Sequence, residues 1–454
     1  MKEGFILFKK FLVLTFVICF SSASFAATYT ATTENQHALE LTSGNASYTN
    51  ITVNKTGDAS GRSDDYDFKG TNAAVHASGG GTLTITGSST AITSNASYGN
   101  AVFSYGGGSG DGTKISISDS TITTFKNNSG GIMVTGGGII NAENLTITTS
   151  GGSSAAIRSD KGGGTITANK GTYTTNGTGS PAIYSTANIT VSNATLKSNS
   201  SQGVVIEGGN SVTLNSTKVD ASHSTLNGQD TTHQAVLIYQ SMSGDASDGN
   251  STFTMTDGSI TNSEGDIFCV TNTTCTINLD DVDITNNDSS GNFLRAAAQE
   301  WGRSGSNGGN VTINATDQDI TGNILADSSS SVTLNLANSD FRGVINSADE
   351  GTVNVNVGTD STLTLLGNSN IKSLTNNGTI NYGSYSLNVN GTSYNSSNPY
   401  SGGSGTTTNN NDDTAINTEE VNDDDTIGSS SSGCNLGISI LSLVILSFAL
   451  KLKK

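Results

Sequence analysis

Cysteine is scarce. Of four in 454 residues, Cys19 lies in an apolar N-terminal run and Cys434 in the C-terminal tail, so the body holds only Cys269 and Cys275. None of the four histidines is near that pair in sequence, which argues against a Cys/His metal centre there. In an oxidising compartment the two cysteines either close a small loop as a disulfide or stay separate thiols; bonding needs Cα atoms within about 7 Å. Positive charge is also in short supply, with 20 Lys and Arg against 38 Asp and Glu. An acidic surface repels phosphate backbones, so nucleic acid is not an expected partner. There is one tryptophan and there are two prolines, and hydrophobic residues make up only 33% of the chain. No segment of the body sustains a helical period of apolar residues.

The two ends read as targeting segments. Lys2, Lys9 and Lys10 precede the apolar run Phe11 to Phe20 and a small-residue stretch ending near Ala26. That is the layout of a secretory signal peptide, residues 1–26. Ile18 before Cys19 is too large for a lipoprotein cleavage box. At the other end, Gly433 and Cys434 lead into Leu436 to Leu450 and then Lys451, Lys453 and Lys454. The apolar run is shorter than the roughly 20 residues of a full span. It reads either as a transmembrane helix, anchoring the chain to a membrane, or as a removable sorting tail. Without residues 1–26 and 433–454 the chain loses six lysines and one glutamate, and its formal charge goes from −18 to −23.

A chain this polar would be expected to stay disordered if its apolar residues were scattered. They recur instead in short alternating strands: Leu83-Thr84-Ile85, Ile115-Ser116-Ile117, Leu145-Thr146-Ile147, Ile189-Thr190-Val191, Val212-Thr213-Leu214, Val311-Thr312-Ile313 and Val332-Thr333-Leu334. β-Branched residues at period two, bounded by Gly, Asn, Ser or Asp, are strand signals. A small apolar cluster precedes each strand, beginning near Ala38, Ala74, Ala101, Ile132, Ala156, Ala182, Val204, Ala235, Ile267, Asn292, Ile324 and Val344. From Ala74 onward the spacings run from 20 to 32 residues, the period of a solenoid.

One copy defines the unit. Ala182-Ile183-Tyr184, Ile189-Thr190-Val191 and Ala194-Thr195-Leu196 are three short strands with Asn, Ser and Thr at the corners, where left-handed backbone is tolerated. This predicts an all-β fold, a right-handed parallel β-helix of about 11–12 coils. It occupies residues 27–394, with an N-terminal cap over about 28–70 and a C-terminal cap over about 353–394. Residues 395–432 form an acidic Ser/Gly/Asn/Thr linker, and 433–454 the tail.

The stretches around Ala155-Ala156-Ile157-Arg158-Ser159-Asp160, Ser180-Pro181-Ala182-Ile183-Tyr184, Ile238-Tyr239-Gln240-Ser241-Met242 and Trp301-Gly302-Arg303-Ser304-Gly305 resemble secreted bacterial adhesin-like right-handed β-helix proteins, over roughly Thr30 to Tyr394. The tail from Ser429 resembles the Gly-Cys type of C-terminal sorting signal. The resemblance implies export to a bacterial cell surface, processing by sorting machinery at Gly433 and Cys434, and no established enzymatic activity.

Parallel β-helices also include polysaccharide lyases and hydrolases, so catalysis has to be looked for in residues rather than in the fold. Glycoside hydrolysis generally uses two facing carboxylates. Asp280, Asp281 and Asp283 are the nearest to such a set, but Asp281 and Asp283 alternate around Val282 and belong on an outward strand face. The Gly-His-Gly and Arg-Ile-Lys elements of polygalacturonase-like enzymes are absent. No catalytic, cofactor-binding or metal-binding residues are assigned. Trp301, with Arg295, Glu300 and Arg303, forms a candidate glycan contact, an indole to stack on a sugar with charges to fix its hydroxyls. The competing reading is a tryptophan packed down in a small satellite core. Two acidic turns, Ser63 to Asp67 and Asp245 to Gly249, offer oxygen ligands for Ca²⁺, although neither matches a calcium-loop motif. The expected partners are glycans or proteins of a host or neighbouring cell; the competing readings are a carbohydrate-active enzyme and a structural surface-layer component.

Overall fold

A computed structural model describes residues 26–402. Nineteen strands form one sheet and eleven another, with smaller sheets of four and three strands, and every ladder but one is parallel. The helical content among these residues is a five-residue turn, Asp64–Phe68. This is a large all-β domain of sequentially stacked parallel sheets, a solenoid-type architecture.

The alternating pattern explains the stack. Ile189 and Val191 in the strand Asn188–Ser192 point inward and are buried, while Thr190 between them is partly exposed. In register with Ile189 lie Leu83, Ile115, Ile140 and Ile166 on one side and Val212, Phe253, Ile277, Ile313, Leu334, Val355 and Leu374 on the other. A second stack runs Val53, Ile92, Ile122, Ile147, Tyr173, Leu196, Val219, Ile260 and Ile284. These belong to one continuous core. Half of each strand's residues can then be polar at no cost to burial.

Between the two stacks the nineteen-stranded sheet bends at a column of left-handed residues: Asn50, Asp119, Asn144, Lys170, Asn193, Ser216, Asp257, Asp281, Asp317 and Asn338 all have φ between 45° and 56°. Asn and Asp tolerate this conformation, and their side chains link coil to coil. Asn144 Nδ2 donates to Asp119 Oδ1 at 2.8 Å, and Asn193 Nδ2 to Asn169 Oδ1 at 2.9 Å. After Asp257 comes Gly258 at φ 88°, where a Cβ would sit 2.1 Å from the Thr217 carbonyl oxygen.

The eleven-stranded sheet collects the apolar clusters read from the sequence. Its strands include Leu39–Leu41, Val75–Ala77, Val102–Tyr105, Ile132–Thr135, Ile183–Ser185, Gln234–Tyr239, Asp266–Thr271 and Ile324–Ala326. A bridge from Ile324 to Ile345 continues the column. Parallel pairing begins with Thr28–Ala31 against Thr52–Lys55. It runs on to Leu387–Val389, whose last partner, Thr392–Tyr394, is antiparallel.

One expectation changes here, and one open alternative closes. The expected transmembrane helix is corrected: among the described residues no helix is long and apolar enough to cross a membrane. The signal segment and the tail with Gly433 and Cys434 lie outside the described residues. Cys269 and Cys275 are free, buried thiols rather than a disulfide. Cys275 faces the continuous core and Cys269 the opposite side of its sheet, among a separate cluster.

Candidate functional site

Part of the eleven-stranded sheet is buried on both faces. Strands Ile132–Thr135, Val204–Glu207, Gln234–Tyr239 and Asp266–Thr271 are buried at every position, whereas the other walls alternate. The outward ladder runs His76, Phe103, Met133, Arg158, Tyr184, Val205, Leu237, Cys269, Arg295 and Leu325. The segments that vary in length from coil to coil fold over it. Gln299 Nε2 donates to Thr232 Oγ1 at 3.0 Å, and Asn272 Nδ2 to the Gln240 carbonyl at 2.6 Å, tying neighbouring loops together.

Beneath these loops Trp301 packs with Val205, Leu237, Tyr239 and Cys269, and its ring centroid is 4.8 Å from that of Tyr239. At 8% exposure the indole presents no open face to a sugar ring. Arg295 Nε donates to Asp266 Oδ2 at 2.5 Å, a pair largely withdrawn from solvent, while Glu300 and Arg303 are exposed. The four residues of the proposed glycan contact therefore divide between a satellite core and the surface. Burial pushes the Cys269 thiol up to about 12, so it stays protonated. The Glu207 carboxylate, 1% exposed, accepts from the hydroxyls of Tyr184, Tyr239, Ser241 and Ser243, so its buried oxygens are satisfied by hydrogen bonds.

At the N-terminal end of the same face, parallel pairing sets Glu40 beside His76. His37, just before that strand, stacks its ring on His76 at 4.5 Å and 9°. His37 Nδ1 lies 2.7 Å from the Ala73 carbonyl and His76 Nε2 2.9 Å from that of Lys69. A carbonyl only accepts, so each of these nitrogens carries the hydrogen, leaving His37 Nε2 and His76 Nδ1 as lone pairs. His76 Nδ1 is buried with no partner. Burial holds both imidazoles below their ordinary value, His76 at about 3 with the neighbouring His37 adding to the effect. One ligand atom from each of His37, Glu40 and His76 lies within 4.8 Å of the others. Among the described residues this is the group of three that could hold a metal ion.

No family model, curated protein or solved structure matches the chain. The side chains themselves must therefore carry the functional argument.

The other predicted positions are not assembled in this way. Ser63 caps the helical turn Asp64–Phe68, where Asp65 pairs with Lys69 at 2.7 Å and Asp67 with Arg62 at 3.2 Å. In the second acidic turn Asp248 accepts from Gln240 Nε2 at 2.9 Å. Asp281 and Asp283 are exposed on either side of buried Val282 and, with Asp317, Asp319, Asp340 and Asp360, line an open corner depression. The histidine group joins residues 37 and 76, which no local motif links in the sequence. Aligning the apolar clusters at Ala38 and Ala74 would have put Glu40 opposite His76.

The nineteen-stranded sheet shows solvent a different surface. Outward in one register stand Ser47, Thr84, Ser116, Asn141, Thr167, Thr190, Thr213, Thr254, Asn278, Asn314, Asn335, Asn356 and Thr375. In its later part the amides bond along the column: Asn314 to Asn278 and Asn335 to Asn314 at 2.8 Å, and Asn356 to Asn335 at 2.7 Å.

Proposed function

We propose that this protein is a non-enzymatic, exported surface rod that makes contact with glycans or proteins of a host or neighbouring cell. The observation that carries the reading is the outward column of Ser, Thr and Asn on the nineteen-stranded sheet. It is an array of hydroxyl and amide groups repeating about every 4.8 Å along the stack. Such a surface matches a polymer of repeating hydroxyls better than it matches one small molecule, which would bind in a concave pocket. The stack is a right-handed β-helix on this reading, since parallel strands joined by crossovers in one sheet are right-handed in about 98% of cases. The signal-like N-terminus supports export, and Gly433 with Cys434 is the point at which sorting machinery would process the tail. Bound Ca²⁺ has no role in this contact, which rests on neutral groups.

The test is a glycan array probed with the purified full chain, run beside degradation assays on the polysaccharides it binds. Binding without product is the expected result. Cleavage of a bound polysaccharide would overturn the reading in favour of an enzyme, and an array without any signal would remove glycans as the partner.

A further inference from the structure

The group at the N-terminal end of the stack plays no part in the polar contact surface, and its chemistry is of another kind. We infer that His37 Nε2, His76 Nδ1 and a carboxylate oxygen of Glu40 bind one divalent transition-metal cation of the Zn²⁺ class, with an open coordination position toward solvent.

Three features converge on this. The strands Leu39–Leu41 and Val75–Ala77 pair in register, so Glu40 and His76 project side by side from successive coils. Each imidazole gives its hydrogen to a backbone carbonyl, Ala73 for His37 and Lys69 for His76. That is the outer-shell arrangement which fixes a metal-ligating tautomer. The third feature is independent of the cluster itself: His76 is 6% exposed, and its free nitrogen is buried without a hydrogen-bond partner. Buried polar atoms are ordinarily satisfied, so an orphaned lone pair in a group of metal-binding side chains calls for a ligand.

The donor set selects the ion. Two imidazoles and one carboxylate suit Zn²⁺ and its neighbours, while Ca²⁺ and Mg²⁺ take oxygen ligands. Tetrahedral bonds of about 2.1 Å place ligand atoms about 3.4 Å apart, and the three side chains already bring a ligand atom each to within 4.8 Å of one another. Because the rings now lie parallel, one of them has to turn for both lone pairs to meet a single ion. That ring is His37, half-buried and outside any strand, and the exposed Glu40 closes with it. A solvent-open cavity of about 490 Å³, lined by Asn35, Gln36, His37, Glu40, Asp65 and Thr71, gives the ion its entry and leaves room for a water or an incoming ligand. Because the ligands come from two successive coils, the ion clamps the first coil to the second.

The experiment is titration of the purified, metal-stripped full chain with ZnCl₂ by calorimetry and with CoCl₂ by visible absorption, alongside thermal unfolding with each ion and with CaCl₂. One saturable Zn²⁺ site is expected, with a Co²⁺ ligand-field band and a rise in melting temperature that CaCl₂ does not produce. Glu40→Gln should weaken Zn²⁺ binding at least about tenfold and His37→Ala at least about a hundredfold, in line with loss of direct ligands. Both positions reach solvent, so these variants should keep the wild-type circular dichroism, which buried His76→Ala need not. No saturable Zn²⁺ binding by the wild-type chain would overturn the inference. So would unchanged Zn²⁺ affinity and Co²⁺ absorption in His37→Ala and Glu40→Gln, which would place the metal elsewhere, or an equal rise in melting temperature with CaCl₂.

Discussion

Ile189 and Thr190 are neighbours in one strand, and the fold assigns them opposite energetic roles. Ile189 is 1% exposed and sits in the inner stack between Ile166 and Val212. Truncating a buried Ile to Ala generally costs about 2–5 kcal/mol, more where the surroundings cannot collapse into the cavity. Here they cannot: parallel ladders hold the flanking coils at a fixed spacing of about 4.8 Å, so Ile189→Ala should fall in the upper half of that range, about 3–5 kcal/mol. Thr190 is outward and partly exposed, and Thr190→Ala should stay within about 0.5 kcal/mol. Urea denaturation of the full chain measures both, followed by far-ultraviolet circular dichroism and by the fluorescence of its one tryptophan. Trp301 packs on Val205, which lies in the coil after that of Ile189, so the fluorescence midpoint should shift with the dichroism. Equal costs for the two substitutions, or less than about 1 kcal/mol for Ile189→Ala, would refute the alternating inner stack.

Three further outcomes follow from the same packing. Trp301→Ala should lower stability by about 3 kcal/mol in thermal unfolding, as loss of a buried aromatic does, and leave glycan binding intact; lost binding at unchanged stability would make the indole a contact residue after all. Glu34, bonded to the Tyr66 hydroxyl and the Ser60 amide, is held at about 2 against an ordinary 4.5. Its lowered value means a contribution fully present above pH 4.5 and lost as pH falls through about 2, so the stability gap between wild type and Glu34→Gln should shrink on acidification over that window. Cys269, with its thiol pushed up to about 12 by burial, should resist iodoacetamide in the native chain at pH 8 and react on unfolding, as read by peptide mass mapping.

What the sequence discloses and what it conceals divide along the two kinds of wall. Ile189-Thr190-Val191 alternates, and alternation alone says which side chain goes in, so the repeat, the strands and the stacked core could all be read from it. Trp301 could not be placed that way. Its contacts, Val205 and Leu237, lie three and two coils back in the sequence and meet it only because a loop folds over the outside of a sheet. There was a signal all the same. Ile132-Met133-Val134, Val204-Val205-Ile206 and Val236-Leu237-Ile238 are apolar at every position, and an unbroken apolar run in a parallel sheet means that both faces are covered. The middle residue of each run is the outward one, so Met133, Val205 and Leu237 require lids, which the variable segments supply. Along that same outward ladder four strongly polar side chains stand out: His76, Arg158, Tyr184 and Arg295. Arg158 and Arg295 are neutralised by Asp160 and Asp266, and Tyr184 bonds Glu207. His76 keeps a nitrogen for which the chain provides no partner. A covered face tolerates a polar side chain only when its bonding is completed, so the position that breaks both the apolar pattern and the hydrogen-bonding rule is where a ligand from outside the chain belongs.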